Sequence, residues 1–255
     1  VKTLYLAGQQ DTINLASLMG ISTLTNANQY GLTLVLGGGE VKLLEMVGAY
    51  AVFANDGNKN KVHAIQHITN AQKELLEEAR GAVERVLPES VARQISDILS
   101  DDAARAPAFG VKSYLFVPSF SVAAKTGTTN NYKDAWIVGY APALAVGVWA
   151  GNNDATPMEK KVAGFIVAPL WNEFMREALP LMPKEIFQSP PEESVDGLAP
   201  VLKGEWRGGR AFTVDRLSGK RATAYTPAET REERVVREVH SILYWLDKDN
   251  PRDGK

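Results

Sequence analysis

Lys125-Thr126-Gly127-Thr128-Thr129-Asn130 places one cation, three hydroxyls and a glycine within six residues. Such a set suits an anion, above all a substrate carboxylate, because an ammonium and O–H donors make charge-assisted hydrogen bonds to it. Gly127 leaves room for a substrate or another element to approach the backbone. A backbone N–H on such a strand edge can also face an oxyanion. The bland reading is a polar strand start or turn. Lys-Thr-Gly alone is a common triplet, so its surroundings must decide.

Two other groupings invite chemistry and fail on spacing. His63 and His67 stand four apart, but Ala64 occupies the place where a metalloprotease helix needs Glu. On the strand that local alternation suggests, residues four apart lie about 13 Å from each other, at about 3.3 Å per residue. His240 is remote in sequence, so no metal is expected. Gly37-Gly38-Gly39 follows the strand-like run Leu32–Leu36, yet no Gly-Lys-Ser/Thr closes it and the spaced dinucleotide glycines are missing. A tight turn into a helix is expected there, and no cofactor.

The elements that must hold the Lys-Thr-Gly segment are visible around it. Apolar residues at 4, 6, 13, 15, 16 and 19 predict a short helix pair ending near Gly20, followed by a Thr/Asn-rich loop over 23–29. Leu43, Leu44, Val47, Tyr50, Ala51 and Ala54 predict one face of a helix that Asn55-Asp56-Gly57 stops. A second helix is predicted over 88–104, with Pro88 in its first turn and Val91, Ile95, Ile98 and Leu99 as its buried stripe. Residues 135–140 and 144–150 read as buried strands joined through Ala141-Pro142-Ala143. A helix over 166–178 follows. Ile166, Leu170, Phe174 and Ala178 run along it, Val167, Trp171 and Met175 run beside them, and Pro180 ends it. Residues 62–86 are ambiguous, a strand and then a segment of strong helix propensity around 73–79.

Beyond 180, Pro183, Pro190, Pro191 and Pro200 mark a linker. A hairpin over 211–224 turning at Ser218-Gly219, a solvated Arg/Glu run over 228–239 and a strand over 241–246 complete the reading.

Composition bounds the function. The 255 residues carry 28 Lys and Arg against 30 Asp and Glu, a formal net charge of −2 that argues against a general nucleic-acid surface. With 45% hydrophobic and 23% charged residues the chain is ordinary globular sequence. Cysteine is absent, so there is no disulfide, thiol nucleophile or thiolate metal site. No apolar run approaches the roughly 20 residues of a membrane helix. The chain opens at Val1 in patterned sequence and is expected to be a piece of a longer protein, its address or anchor elsewhere.

Val122-Ala123-Ala124-Lys125-Thr126-Gly127-Thr128-Thr129-Asn130, continued by Asp134-Ala135-Trp136-Ile137-Val138-Gly139-Tyr140 and Val146-Gly147-Val148-Trp149-Ala150-Gly151-Asn152, closely resembles the penicillin-binding transpeptidase domain of the bifunctional, class A type. The segments around Leu36–Val41, Leu44–Met46, Ala49-Tyr50, Phe53–Gly57 and Ile95–Asp101 resemble the same family. The likeness covers about residues 1–178. It implies an α/β fold of the α+β type, a mainly antiparallel sheet with helices on both faces. Residues 1–180 would be the C-terminal part of a transpeptidase domain and 181–255 an extension. It also implies a hairpin over 62–86, turning near Asn70-Ala71.

The family uses three motifs, Ser-x-x-Lys, Ser-x-Asn and Lys-Thr-Gly. No Ser here has Lys three residues on, and none has Asn two on. The resemblance therefore implies that the nucleophile and second motif lie upstream of Val1. It implies acyl transfer on D-Ala–D-Ala stem peptides, with β-lactams as ligands, through a serine acyl-enzyme. Lys125 and Thr128 would be catalytic. Lys125, Thr126, Gly127 and Thr128 would bind substrate, and the Thr128 N–H would be half of an oxyanion hole. A regular strand points Lys125 and Thr126 apart, so twist at the cleft edge must bring both to the site. The resemblance further implies a glycosyltransferase domain in the parent chain and a place on the outer face of a bacterial membrane. A D,D-carboxypeptidase or β-lactamase, a non-catalytic module of the same fold, and an unrelated domain with a chance motif are the rival readings.

Overall fold

A computed structural model describes residues 1–79, 81–192, 194, 196–198, 202 and 210–236. They fall into two compact units, one of Val1 with Gly8–Glu192 and one of Lys2–Ala7 with Glu193–Lys255. In chain order the helices and strands begin with α1 (Lys2–Ala7), α2 (Gln9–Leu18), α3 (Ala27–Tyr30) and α4 (Leu43–Ala54). Four short strands follow, β1 (Asn58–Asn60), β2 (His67–Thr69), β3 (Leu75–Glu78) and β4 (Val83–Arg85). Then come α5 (Glu89–Ser100), α6 (Asp102–Phe109), β5 (Ala123–Thr128), β6 (Asp134–Ala141) and β7 (Leu144–Gly151). The last elements are α7 (Ala163–Ile166), α8 (Ala168–Ala178), β8 (Arg210–Asp215) and β9 (Arg231–Val236).

In the larger unit β5, β6 and β7 form an antiparallel sheet in that order, with Lys125 opposite Val138 and Gly139 opposite Val146. Because side chains alternate along a strand, this register sorts the residues onto two faces. Ala124, Thr126, Thr128, Ile137, Gly139 and Val146 share one face, and Ala123, Lys125, Gly127, Val138, Tyr140 and Gly147 share the other. Helices cover both. On the first, the Trp171 ring of α8 lies where a Cβ on Gly139 would stand, and its Nε1 donates to Val146 O at 3.1 Å. On the second, Val47 and Leu43 of α4 close over Gly147. Two glycines thus let helices approach the sheet from opposite sides. The Trp171 side chain is 0% exposed and joins Ile137, Met175 and Leu179 in the main core.

Tyr140 fills the second face. It meets the rings of Tyr50, Phe53 and Phe187 and shares a 3.0 Å hydrogen bond with buried Ser96 of α5. Burial, partly offset by the Ser96 bond and reinforced by Tyr50, pushes the phenol up to about 12. The hairpin of β2 and β3 turns at Asn70, whose Oδ1 accepts from the Gln72 and Glu74 amides, and β4 returns to pair with β1. Tertiary pairing therefore overrides the helix propensity around residues 73–79.

Several expectations shift by a residue or an element. Leu32–Leu36 is not strand-like. It lies in a 3₁₀ helix over Gly31–Leu36, closed by Gly37 at φ 92°. Pro88 caps α5 rather than sitting in its first turn, and the helix ends at Ser100, with α6 following separately. The buried face of α5 is Ala92 and Ser96, while Val91 and Ile98 are exposed, because the small side chains make room for Tyr140 and supply its partner. On α4 the buried pair is Ala49 and Val52, and Leu44 is exposed.

The helix expected over 166–178 is two helices, and Leu170 and Phe174 are 60% and 52% exposed. The row containing Trp171 and Met175 faces the sheet instead, because the gap over Gly139 accepts an indole.

In the smaller unit Asp215 organises the expected turn: its carboxylate accepts from Ser218 Oγ at 2.6 Å, and Gly219 N donates to its carbonyl. The full-length partner of β8 is nevertheless β9, so part of the Arg/Glu run is a strand, exposed from Arg231 to Arg234. The strand expected over 241–246 lies outside the described residues.

Two outcomes test this packing. Trp171→Ala should cost about 3–5 kcal/mol of unfolding free energy, measured by denaturant titration, because it empties a fully buried indole site. The raised phenol of Tyr140 means that the folded state holds its proton more tightly than the unfolded chain. Its contribution is therefore intact below pH about 10 and lost as pH rises towards about 12. Stability measured across that window should fall, and Tyr140→Phe should remove this part of the fall.

Candidate functional site

The Lys-Thr-Gly segment is β5 itself, and β5 is an outer strand of its sheet among the described residues. The direction of its backbone groups follows from one bond. Thr129 N donates to Asp134 O at 3.1 Å, just beyond the ladder. Hydrogen-bonded and non-hydrogen-bonded pairs alternate in an antiparallel ladder, so Gly127 and Lys125 bond inward to β6. Thr126 and Thr128 turn their N–H and C=O groups towards the outer edge. The contact of Lys125 Nζ with Thr126 O at 2.5 Å agrees, since it reaches that carbonyl from the exposed side.

The side chains are held from both ends. Thr128 Oγ1 accepts from Ala163 N of α7 at 2.9 Å, which leaves the Thr128 hydroxyl proton to donate elsewhere. Beyond the strand, Asp134 forms a clasp. One carboxylate oxygen accepts from Trp149 Nε1 at 3.0 Å, the other from Thr129 Oγ1 at 3.0 Å, and Asp134 N donates back to Thr129 Oγ1 at 2.8 Å. The connecting residues Asn131 and Tyr132 take positive φ, and Tyr132 O accepts from Met158 N. A Cβ at Gly127 would meet only Trp136 Cβ at 3.5 Å, an ordinary contact, so the sheet does not itself require glycine there. A groove of about 250 Å³ runs along β5, bounded by Ala124, Lys125 and Thr126 on the strand and by α5 and α6 opposite.

Comparison with known proteins decides the family. Residues 10–176 match the penicillin binding protein transpeptidase domain. The chain belongs to that family. Penicillin-binding protein 1A of Aquifex aeolicus is 37% identical over 169 residues, 66% of this chain and 23% of that protein. Penicillin-binding protein 2D of Bacillus subtilis is 28% identical over 198 residues, 74% of this chain and 27% of the relative. The chain thus spans about a quarter of the length of these curated relatives. The solved structure of PonA1 from Mycobacterium tuberculosis in complex with penicillin V superposes with a TM-score of 0.62 at 25% identity, covering 73% of this chain and 54% of that one. The mixed helical and antiparallel architecture is that of the penicillin-binding transpeptidase fold.

Within this transpeptidase domain, the four sequence-predicted residues lie consecutively on β5. Lys125 and Gly127 share one face, Thr126 and Thr128 the other, as alternation requires. What unites them is their strand, an outer one of its sheet among the described residues. His67 begins β2, whereas His63 lies outside that strand, and both are exposed. Sequence reasoning missed the Asp134 clasp and the Ala163 amide. Asp134 stood in the quoted run before Trp136, but its partners are Thr129 and Trp149, five and fifteen residues away. Only the strand register brings those three together.

Asp134→Ala should lower unfolding free energy by about 1 kcal/mol, the net worth of a typical hydrogen bond. Asp134→Asn should lower it less, since the amide oxygen still accepts. Denaturant midpoints of the two variants check this, and an unchanged Asp134→Ala midpoint would show that the clasp carries no stability.

Proposed function

We propose that the chain carries the carboxylate-binding strand of a serine-type D,D-transpeptidase that crosslinks peptidoglycan stem peptides and is acylated by β-lactams. The observation that carries the reading is the outward-facing edge of β5, in a chain that matches the transpeptidase domain. A strand edge offering N–H groups, two threonine hydroxyls and an ammonium is suited to a peptide that ends in a carboxylate.

In the proposed reaction, a Ser Oγ attacks the carbonyl of the D-Ala–D-Ala bond. The C–N bond breaks, the terminal D-Ala leaves as an amine that takes up a proton, and an ester remains. An amine of a neighbouring stem peptide then attacks that ester, losing a proton and returning the Ser hydroxyl. Splitting one hard substitution into two lowers the barrier to each. Lys125 sets the charge of the cleft and joins its proton network. Thr126 and the free hydroxyl proton of Thr128 hold the terminal carboxylate. The outward Thr128 N–H stabilises the oxyanion, and bare Gly127 lets the peptide lie close. Since no Ser in these 255 residues has the Ser-x-x-Lys spacing, the nucleophile belongs to another part of the protein.

The same reading places a glycosyltransferase domain in the parent chain and the whole at the outer face of a bacterial membrane. Residues 1–180 are then transpeptidase domain and 181–255 an extension. Among the described residues no helix is long and apolar enough to cross a membrane.

Mass spectrometry after incubation with a labelled penicillin tests the proposal. The 255-residue chain should stay unlabelled and the intact protein should gain one adduct. Lys125→Ala and Thr128→Ala in the intact protein should slow acylation, the latter only in part because the backbone N–H survives. A stoichiometric adduct on the 255-residue chain would refute the assignment of the nucleophile. An unreactive intact protein carrying all three motifs would point to a non-catalytic module.

A further inference from the structure

The outward Thr128 N–H is held between two neighbours that bond inward. On one side Gly127 pairs with Trp136 inside the ladder. On the other side the strand has ended, and Thr129 is tied to Asp134 by three hydrogen bonds. Thr129 N donates to Asp134 O at 3.1 Å, Thr129 Oγ1 donates to Asp134 Oδ2 at 3.0 Å, and Asp134 N donates to Thr129 Oγ1 at 2.8 Å.

The last of these stands in for a ladder bond. In a regular hydrogen-bonded pair Asp134 N would donate to Thr129 O. Here Thr129 O accepts from Tyr132 N at 3.1 Å instead, within a turn whose Asn131 and Tyr132 take φ of 63° and 57°. Non-glycine backbone of that kind persists only where its surroundings hold it. Trp149 fixes the other end of the clasp, its Nε1 donating to Asp134 Oδ1 at 3.0 Å. The indole fits because Gly151, opposite Asp134 in the register, has no side chain: a Cβ there would stand 2.6 Å from Trp149 Cζ2. Both carboxylate oxygens of Asp134 therefore accept, one from the turn and one from β7.

The Thr128 side chain is fixed separately, by Ala163 N on its Oγ1. Asp134 thus governs the direction of the Thr128 N–H and not the place of its hydroxyl.

We propose that Asp134 is a positioning residue for acylation, aiming the Thr128 N–H at the oxyanion by holding Thr129. The proposal rests on the transpeptidase reading. The oxyanion develops only towards the transition state, so an aimed donor speeds the chemical step without tightening the initial complex. The hydroxyl contacts to the carboxylate are already made in that complex and act on binding.

The test follows acylation of the intact protein over a range of labelled-penicillin concentrations. It reads the limiting rate and the concentration that gives half of it. Asp134→Ala should lower the limiting rate about tenfold, short of the roughly 10²–10³-fold lost when an oxyanion donor is removed outright, because the N–H remains but is no longer held. The half-rate concentration should not change. Asp134→Asn keeps an acceptor oxygen and should restore much of the rate. Thr129→Val should reproduce the loss, and combining it with Asp134→Ala should cost little more, since both break one clasp. Thr128→Ala should instead raise the half-rate concentration. The labelled fraction at saturation counts the folded molecules, so misfolding lowers the yield of adduct and not the limiting rate.

An unchanged limiting rate in either Asp134→Ala or Thr129→Val, or a half-rate concentration that rises with the loss, would overturn the proposal and leave the clasp a structural fastening. The wild type separates the two failures. Normal acylation of the wild type beside such variants rejects the positioning role alone. A wild type that takes up no penicillin rejects the transpeptidase reading on which that role rests.

Discussion

The antiparallel pairing of β5 with β6 is the constraint on which the candidate site depends. Its register leaves the backbone groups of Lys125 and Gly127 turned inward and those of Thr126 and Thr128 turned out. A slip of one residue would reverse every one of these directions and exchange the two faces. The clasp of Asp134 on Thr129 and Trp149, and the Ala163 amide on Thr128, act at the end of the strand where such a slip would begin. An edge strand offering unpaired amides invites pairing with other chains. On the proposed reading that liability serves the substrate, which approaches the edge as an extended peptide.

The sheet can keep this register because it is packed from both sides through its smallest residues. Gly139 admits the Trp171 ring from α8 and Gly147 admits Val47 and Leu43 from α4. Large side chains at either position would lift a helix away and expose the core beneath it. Tyr140 adds a polar tie, joining the sheet to Ser96 of α5 within an aromatic cluster. The extended residue Asp101 joins the end of α5 to the start of α6, so the wall facing Lys125 and Thr126 is anchored to the strand pair it faces.

Much of this was legible in the residues. The strands over 135–140 and 144–150 announced themselves by β-branched and aromatic runs around Pro142, and Lys-Thr-Gly by its donors together with the family resemblance of the segments around it. Which helical face is buried was not legible. On α8 two apolar rows run side by side, and only the gap over Gly139 selects Trp171 over Leu170 and Phe174. On α5 the apolar stripe lost to Ala92 and Ser96 because the partner surface carries a bulky phenol that needs space and a hydrogen bond. The β2–β3 hairpin was visible only through family resemblance, since the residues of β3 favour helix.

Amide hydrogen exchange along β5, resolved residue by residue by NMR, tests most directly the claim that the outer edge is the working surface. The account predicts slow exchange at Lys125 and Gly127, whose N–H groups are held by β6. It predicts exchange faster by orders of magnitude at Thr126 and Thr128, whose N–H groups face outward. Uniform protection along the strand, or protection at Thr126 and Thr128 instead, would contradict it.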